Sequence, residues 1–255
     1  MEKPFDDIHA DIGSQLLGLP HSMTDSAAVR EARQQLGSAD QYVKLGQALS
    51  RQLRYREAID AYTEALKCDP EDLTALRLRA GRYLSTLQNE KAIRDFDHCL
   101  QLSADRLDCL YRMGIAYYYA GDDTAAQKTL VRCVPYCDDE MAIAIIYWHT
   151  LSASRSGKEQ ELLSYYCREL VVGHHTAYEK AMRVWAGQET LEGMLKQLEL
   201  EEDDMEYDIT LYGLLKHPDC KEKEALMEKL LRRDGFWPCF AYLAAWNDKN
   251  GLVHA

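Results

Sequence analysis

The sequence predicts an all-α chain built from antiparallel helical hairpins, and three observations point there. Turn residues are scarce: 14 glycines and 6 prolines in 255 residues, whereas an all-β chain needs punctuation roughly every 8–12 positions. Hydrophobic residues make up 47% and charged residues 28%, the balance of a chain with a packed core. Above all, the chain repeats itself. Residues 39–72, 73–106 and 107–140 align without a gap in blocks of 34, a period that marks stacked supersecondary units.

The elements follow in order. Residues 1–23 contain Pro4, Gly13, Gly18 and Pro20 and show no periodic element. Their two apolar patches, Phe5/Ile8 and Leu16/Leu17/Leu19, suit a loosely docked arm or a segment lying in a groove. Residues 24–36 read as a helix with Thr24 or Asp25 as N-cap and Gly37 after its end. Residues 1–38 thus form an arm and a capping helix. Next come the three repeats, 39–140. Their eighth positions hold Gly46, Ala80 and Gly114, their twentieth Ala58, Ala92 and Ala126, and their twenty-seventh Ala65, Cys99 and Cys133. Four residues beyond each twentieth position stand Tyr62, Phe96 and Leu130. Small side chains at fixed places, with large ones between, let two crossing helices approach closely.

Residues 141–255 read as degenerate hairpins closed by a terminal helix. The run MAIAIIYWHTL, a turn at Ser156-Gly157 and the stretch EQELLSYYCREL form one pair. Residues 175–200 form another, with Thr190 as an N-cap. Tyr212, Gly213 and Ala225 then return at the seventh, eighth and twentieth positions of a repeat beginning at Glu206. Pro238 opens a last amphipathic helix, PCFAYLAAWND, which would cap the stack.

The first block carries Tyr42, Leu45, Gly46, Leu49, Ala58, Tyr62, Ala65 and Pro70 in a pattern that resembles the tetratricopeptide repeat family. The resemblance covers 39–140. It implies a right-handed superhelix of antiparallel hairpins, and a non-catalytic scaffold or adaptor that binds a protein or peptide on its concave face. On the family's groove positions stand Gln47, Arg77, Tyr111, Arg112, Ile115, Tyr118 and Tyr119, the expected partner-binding residues. The carboxylate clamp known in this fold is disfavoured, because only Arg112 fits its pattern. A fainter resemblance, through Trp185, Ala186, Gly187, Thr190, Leu191 and Glu192, is to bacterial lipoproteins of this repeat class, which act as adaptors.

The formal charge is −12, which repels nucleic acid and anionic membranes. Residues 39–106 balance at zero, with 11 basic and 11 acidic side chains, while 175–255 carry −6. No run of 18 apolar residues exists. The acidic start lacks the pattern of a signal peptide, and the eight cysteines form no CxxC pair. A cytoplasmic protein with reduced thiols is the expectation.

Motifs for chemistry are absent. Lys158 lacks the glycine six positions before it that a phosphate loop requires, and there is no HExxH or GxSxG. His174-His175 are adjacent, not paired across a helix turn. Cys133, Cys137 and His98-Cys99 could suggest a zinc site, but Cys99 and Cys133 occupy the small position of Ala65, and a buried small residue explains them more simply. The acidic run from Glu201 to Asp208 reads as a solvated loop or a strip for a basic partner. No metal and no cofactor are expected. Two other readings stay open: a small ligand held near Trp148, His149, Tyr165 and Trp185, as in a sensor or enzyme, and self-association through Phe236, Trp237, Phe240, Tyr242 and Trp246 as a weak homodimer in place of a monomer.

Overall fold

A computed structural model of the chain describes residues 24–167, 169–233 and 237–250. The arm over 1–23 and Phe236 lie outside the described residues. The described chain is all-α and consists of stacked antiparallel helix pairs. It divides into two compact units, Met1–Ala116 and Tyr117–Ala255.

The first unit holds α1 (Ala27–Gln34), α2 (Ala39–Arg51), α3 (Tyr55–Cys68), α4 (Leu73–Ser85), α5 (Asn89–Gln101) and most of α6 (Arg106–Tyr119). Ser26, rather than Thr24 or Asp25, caps α1 by accepting from Val29 N at 3.3 Å. Asp25 is drawn away because Arg54 and Arg33 bind its carboxylate at 2.6 and 2.9 Å. Those guanidiniums, Arg54 first, hold the Asp25 carboxyl below the usual carboxylate range. Val29 is fully buried and fastens α1 onto Leu45, Leu49, Ala58 and Tyr62.

The small-residue pattern is a packing pattern. A Cβ added to Gly46 would sit 2.7 Å from Tyr62 Cδ1, so the missing side chain is what lets α3 lie against α2. Between hairpin helices the chain turns the same way each time. Leu53, Leu87 and Gly121, spaced by the repeat, have φ of 59°, 56° and 77°. The following amides, Arg54, Gln88 and Asp122, donate back to Leu49, Tyr83 and Tyr117 carbonyls at 3.1, 2.8 and 3.0 Å. This closes each first helix with a left-handed residue, although two of the three sites hold leucine.

The second unit contains the last residues of α6, then α7 (Asp123–Val131), a 3-10 turn (Val134–Tyr136), α8 (Asp139–Arg155) and a second 3-10 turn (Glu161–Tyr165). After these come α9 (Thr176–Trp185), α10 (Leu191–Leu198), α11 (Asp204–Leu215), α12 (Lys223–Arg232) and α13 (Phe240–Lys249). α8 is buried without interruption from Ile143 to Ala153, and α11 from Tyr207 to Leu215. A helix covered on all sides is a central one. Trp148 of α8 is wholly buried, with Tyr118, Tyr147 and Tyr212 rings edge-on or tilted 5.2–6.2 Å away. Gly213 does for α11 what Gly46 does for α2: a Cβ there would lie 2.6 Å from Tyr147 and 2.7 Å from Ala181.

Two expected helices differ. The described residues of EQELLSYYCREL form only the 3-10 turn and irregular backbone, because Leu162 and Tyr166 alone among Glu161–Cys167 are buried and offer no continuous apolar stripe. The residues that follow it are tied to the start of α8, where Val171 N and His174 N donate to Asp139 and Glu140 carboxylates at 3.3 and 2.9 Å. His175 Nδ1 meets Glu140 O. The terminal helix α13 is not amphipathic, since Ala241–Ala245 are all buried, and Pro238 precedes its N-cap, Cys239.

Cys68 and Cys167 are exposed, Cys137 is half-covered, and Cys99, Cys109, Cys133, Cys220 and Cys239 are buried. Burial pushes the Cys133 and Cys239 thiols up to about 12.

Candidate interaction surface

The expected groove residues separate into two groups. Gln47, Arg77 and Arg112 reach solvent in the first unit, on α2, α4 and α6. Arg77 and Arg112 share one carboxylate: Arg77 Nη1 lies 3.2 Å from Asp108 Oδ2, and Arg112 Nε lies 2.7 Å from Asp108 Oδ1. Their side chains are 44% and 33% exposed, against 22% for Asp108. Gly81 makes room, since a Cβ there would fall 3.3 Å from Arg112 Nη1. Asp108 orients two guanidiniums while cancelling only one of their charges, which leaves donors free for an incoming carboxylate or carbonyl. α2 packs beside α4, and its exposed Lys44 makes no ion pair among the described residues.

Tyr111, Ile115, Tyr118 and Tyr119 are buried, at 8%, 0%, 1% and 1% exposure. The second unit accounts for the last two. Tyr118 OH lies 2.9 Å from Tyr212 OH, and Tyr119 OH donates to Phe240 O at 2.6 Å. Asn247 Nδ2 donates to Tyr119 O at 2.8 Å. Arg155 stacks 3.9 Å from the Tyr118 ring centre and binds Asp123 at 2.7 Å. These tyrosines pack α11 and α13 and present no surface to a partner.

The residues of the small-ligand reading do not converge. Trp148 and His149 are buried, Trp185 donates Nε1–H to Gly213 O at 3.0 Å, and Tyr165 stands 70% exposed on a turn. Burial also holds the His149 ring below its ordinary pKa, so it is neutral at pH 7. For self-association, Trp237 and Tyr242 are buried, while Phe240 and Trp246 are half-buried. Among the described residues no group of three His, Cys, Asp or Glu side chains is placed to hold a metal ion. No described helix is long and apolar enough to cross a membrane.

Fold and surface together define an all-α, tetratricopeptide-like helical-repeat protein. Residues 39–72 match the family model for the tetratricopeptide repeat. The chain is 28% identical over 146 residues to DnaJ homolog subfamily C member 3 of Gallus gallus, covering 56% of this chain and 28% of that one. It is 32% identical over 81 residues to outer dynein arm-docking complex subunit 4 of Xenopus laevis, covering 32% and 15%. It therefore spans less than a third of either relative. Among solved structures it is similar to YrrB, described as a TPR protein with an unusual peptide-binding site. The TM-score is 0.49 at 14% identity, over 89% of this chain and 100% of that one.

Proposed function

We propose that the chain is a non-catalytic scaffold or adaptor that binds a partner protein or peptide on the first-helix face of its first unit. The reading rests on one observation, the Arg77–Asp108–Arg112 fork, where two half-exposed guanidiniums from successive first helices are held by one shared carboxylate. Arginine in such a fork is pre-organised for planar acceptors and is frequent among residues that dominate binding. Gln47 and Lys44 on α2 extend the polar face. The partner segment that fits carries a carboxylate flanked by neutral or polar side chains. Stacked helix pairs supply such faces and vary the side chains on them while keeping the frame.

The test is affinity purification with the wild-type chain and with Arg77→Ala/Arg112→Ala, followed by quantitative identification of what each retains. The variant should lose specific partners while its far-UV circular dichroism stays unchanged, because neither side chain contributes to the core. Identical partners in identical amounts would remove this face from the account.

A further inference from the structure

A second surface lies wholly within the second unit. Between α10, α11 and α12 runs a trough of about 280 Å³, rimmed by half-buried Leu195 and Leu226 and floored by buried Leu198, Leu211 and Tyr207. Three of its lining residues carry charge, Glu199, Glu222 and Lys229. All three are exposed, and none makes an ion pair among the described residues. The volume falls just under the roughly 300–1,000 Å³ of small-molecule pockets, so it suits a few apolar side chains better than a whole cofactor. One residue beyond Glu199 stands Leu200, which is 85% exposed.

We propose that this trough receives the apolar face of a basic amphipathic helix from a partner protein. Such a helix places large apolar side chains three and four residues apart, which is how helices fill a groove between helices. Its lysines or arginines meet Glu199 and Glu222, and a carboxylate on it meets Lys229. Two unpaired carboxylates to one ammonium set the preference for a basic partner. The −6 carried by residues 175–255 steers it in from a distance. The proposal does not depend on the Arg77–Arg112 face, which belongs to the other unit.

Fluorescence anisotropy on the full chain tests it. The probe is a labelled synthetic helical peptide with leucines three and four apart, flanked by lysines; its twin carries glutamates in their place. The lysine peptide is expected to bind roughly tenfold or more tightly than its twin. Glu199→Lys/Glu222→Lys should reverse that order, and Ala225→Trp, at an exposed position lining the trough, should weaken the lysine peptide by roughly tenfold. Arg77→Ala/Arg112→Ala should change neither, which separates this surface from the first. The three substituted positions are solvent-facing, so circular dichroism should report unchanged helix in every variant. No binding of the lysine peptide, equal binding of the two peptides, or binding indifferent to the charge reversal and to Ala225→Trp would overturn the proposal.

Discussion

The hydroxyls of Tyr118 and Tyr212 meet 2.9 Å apart inside the second unit, and Tyr212 passes the connection on by donating to Asp248 at 2.7 Å. Asp248 in turn accepts from Lys216. A residue on the last turn of α6 is thereby joined to α11 and α13 through one buried and one part-buried hydrogen bond. Tyr118→Ala should cost about 3–5 kcal/mol, as for other large buried rings, and Tyr118→Phe only about 1 kcal/mol. Urea denaturation followed by tryptophan fluorescence measures both. A Tyr118→Ala chain as stable as wild type would mean that the ring is not core.

Asp208 makes the second unit sensitive to pH. It is fully buried on α11, and neither carboxylate oxygen has a hydrogen-bond partner. Burial, then the nearby Asp204 charge, pushes its carboxyl up to about 8, with Arg233 opposing and Asp203 adding. The Cys239 thiol, also near, stays protonated at neutral pH. Because the folded value exceeds the unfolded one, this group's contribution is complete below about pH 4 and drains away as pH rises through 8. Stability should fall by on the order of 2 kcal/mol between pH 6 and 8. Asp208→Asn should flatten that slope in denaturant titrations at the two pH values. An equally steep slope in the variant would place the titrating group elsewhere.

Gly46 and Gly213 hold helices together by what they lack. Alanine at either position drives a methyl group into a ring, Tyr62 or Tyr147. Gly46→Ala and Gly213→Ala should each destabilise by about 1–3 kcal/mol, as overpacked cores do. Gly81→Ala meets only the mobile end of Arg112 and should stay within about 0.5 kcal/mol of wild type. Thermal melts of the three variants give the ranking; a Gly81 variant worse than the other two contradicts it.

The repeated turn yields a paired comparison. Gly121→Ala forces a Cβ into the left-handed region and should cost about 1 kcal/mol. Leu53→Gly relieves the same strain but frees the unfolded chain, so it should come out within about 0.5 kcal/mol of neutral. Chemical denaturation of both variants against wild type checks the contrast.

The helical hairpins of 39–140 were legible because their helices need small residues where they cross, and sequence displays size directly. Tyr212-Gly213 carried the same information into the second unit. Tyr118 and Tyr119 were not legible as core. The rings that cover them come from Trp148 and Tyr212, and their polar partners from Phe240 and Asn247, up to 128 residues away, so no local period announces them. The failed helix over 159–170 had apolar residues enough, but only Leu162 and Tyr166 among Glu161–Cys167 found cover. Leu53 and Leu87 in left-handed turns defy residue preference, and only the third repeat's Gly121 hinted at that geometry. The Arg77–Arg112 fork was visible as two positions, whereas the carboxylate that unites them became evident only with its distances.

The distribution of sulfur has a practical consequence. Cys68 sits in one unit and Cys167 in the other, both facing solvent, whereas most of the remaining thiols are enclosed, with two held protonated far above neutral pH. Maleimide chemistry, which consumes accessible thiolate, will therefore mark each half in preference to its interior, with Cys137 the slower third target. A dye on either sulfur thus reports on the surroundings of its own half of the native chain, without any engineering.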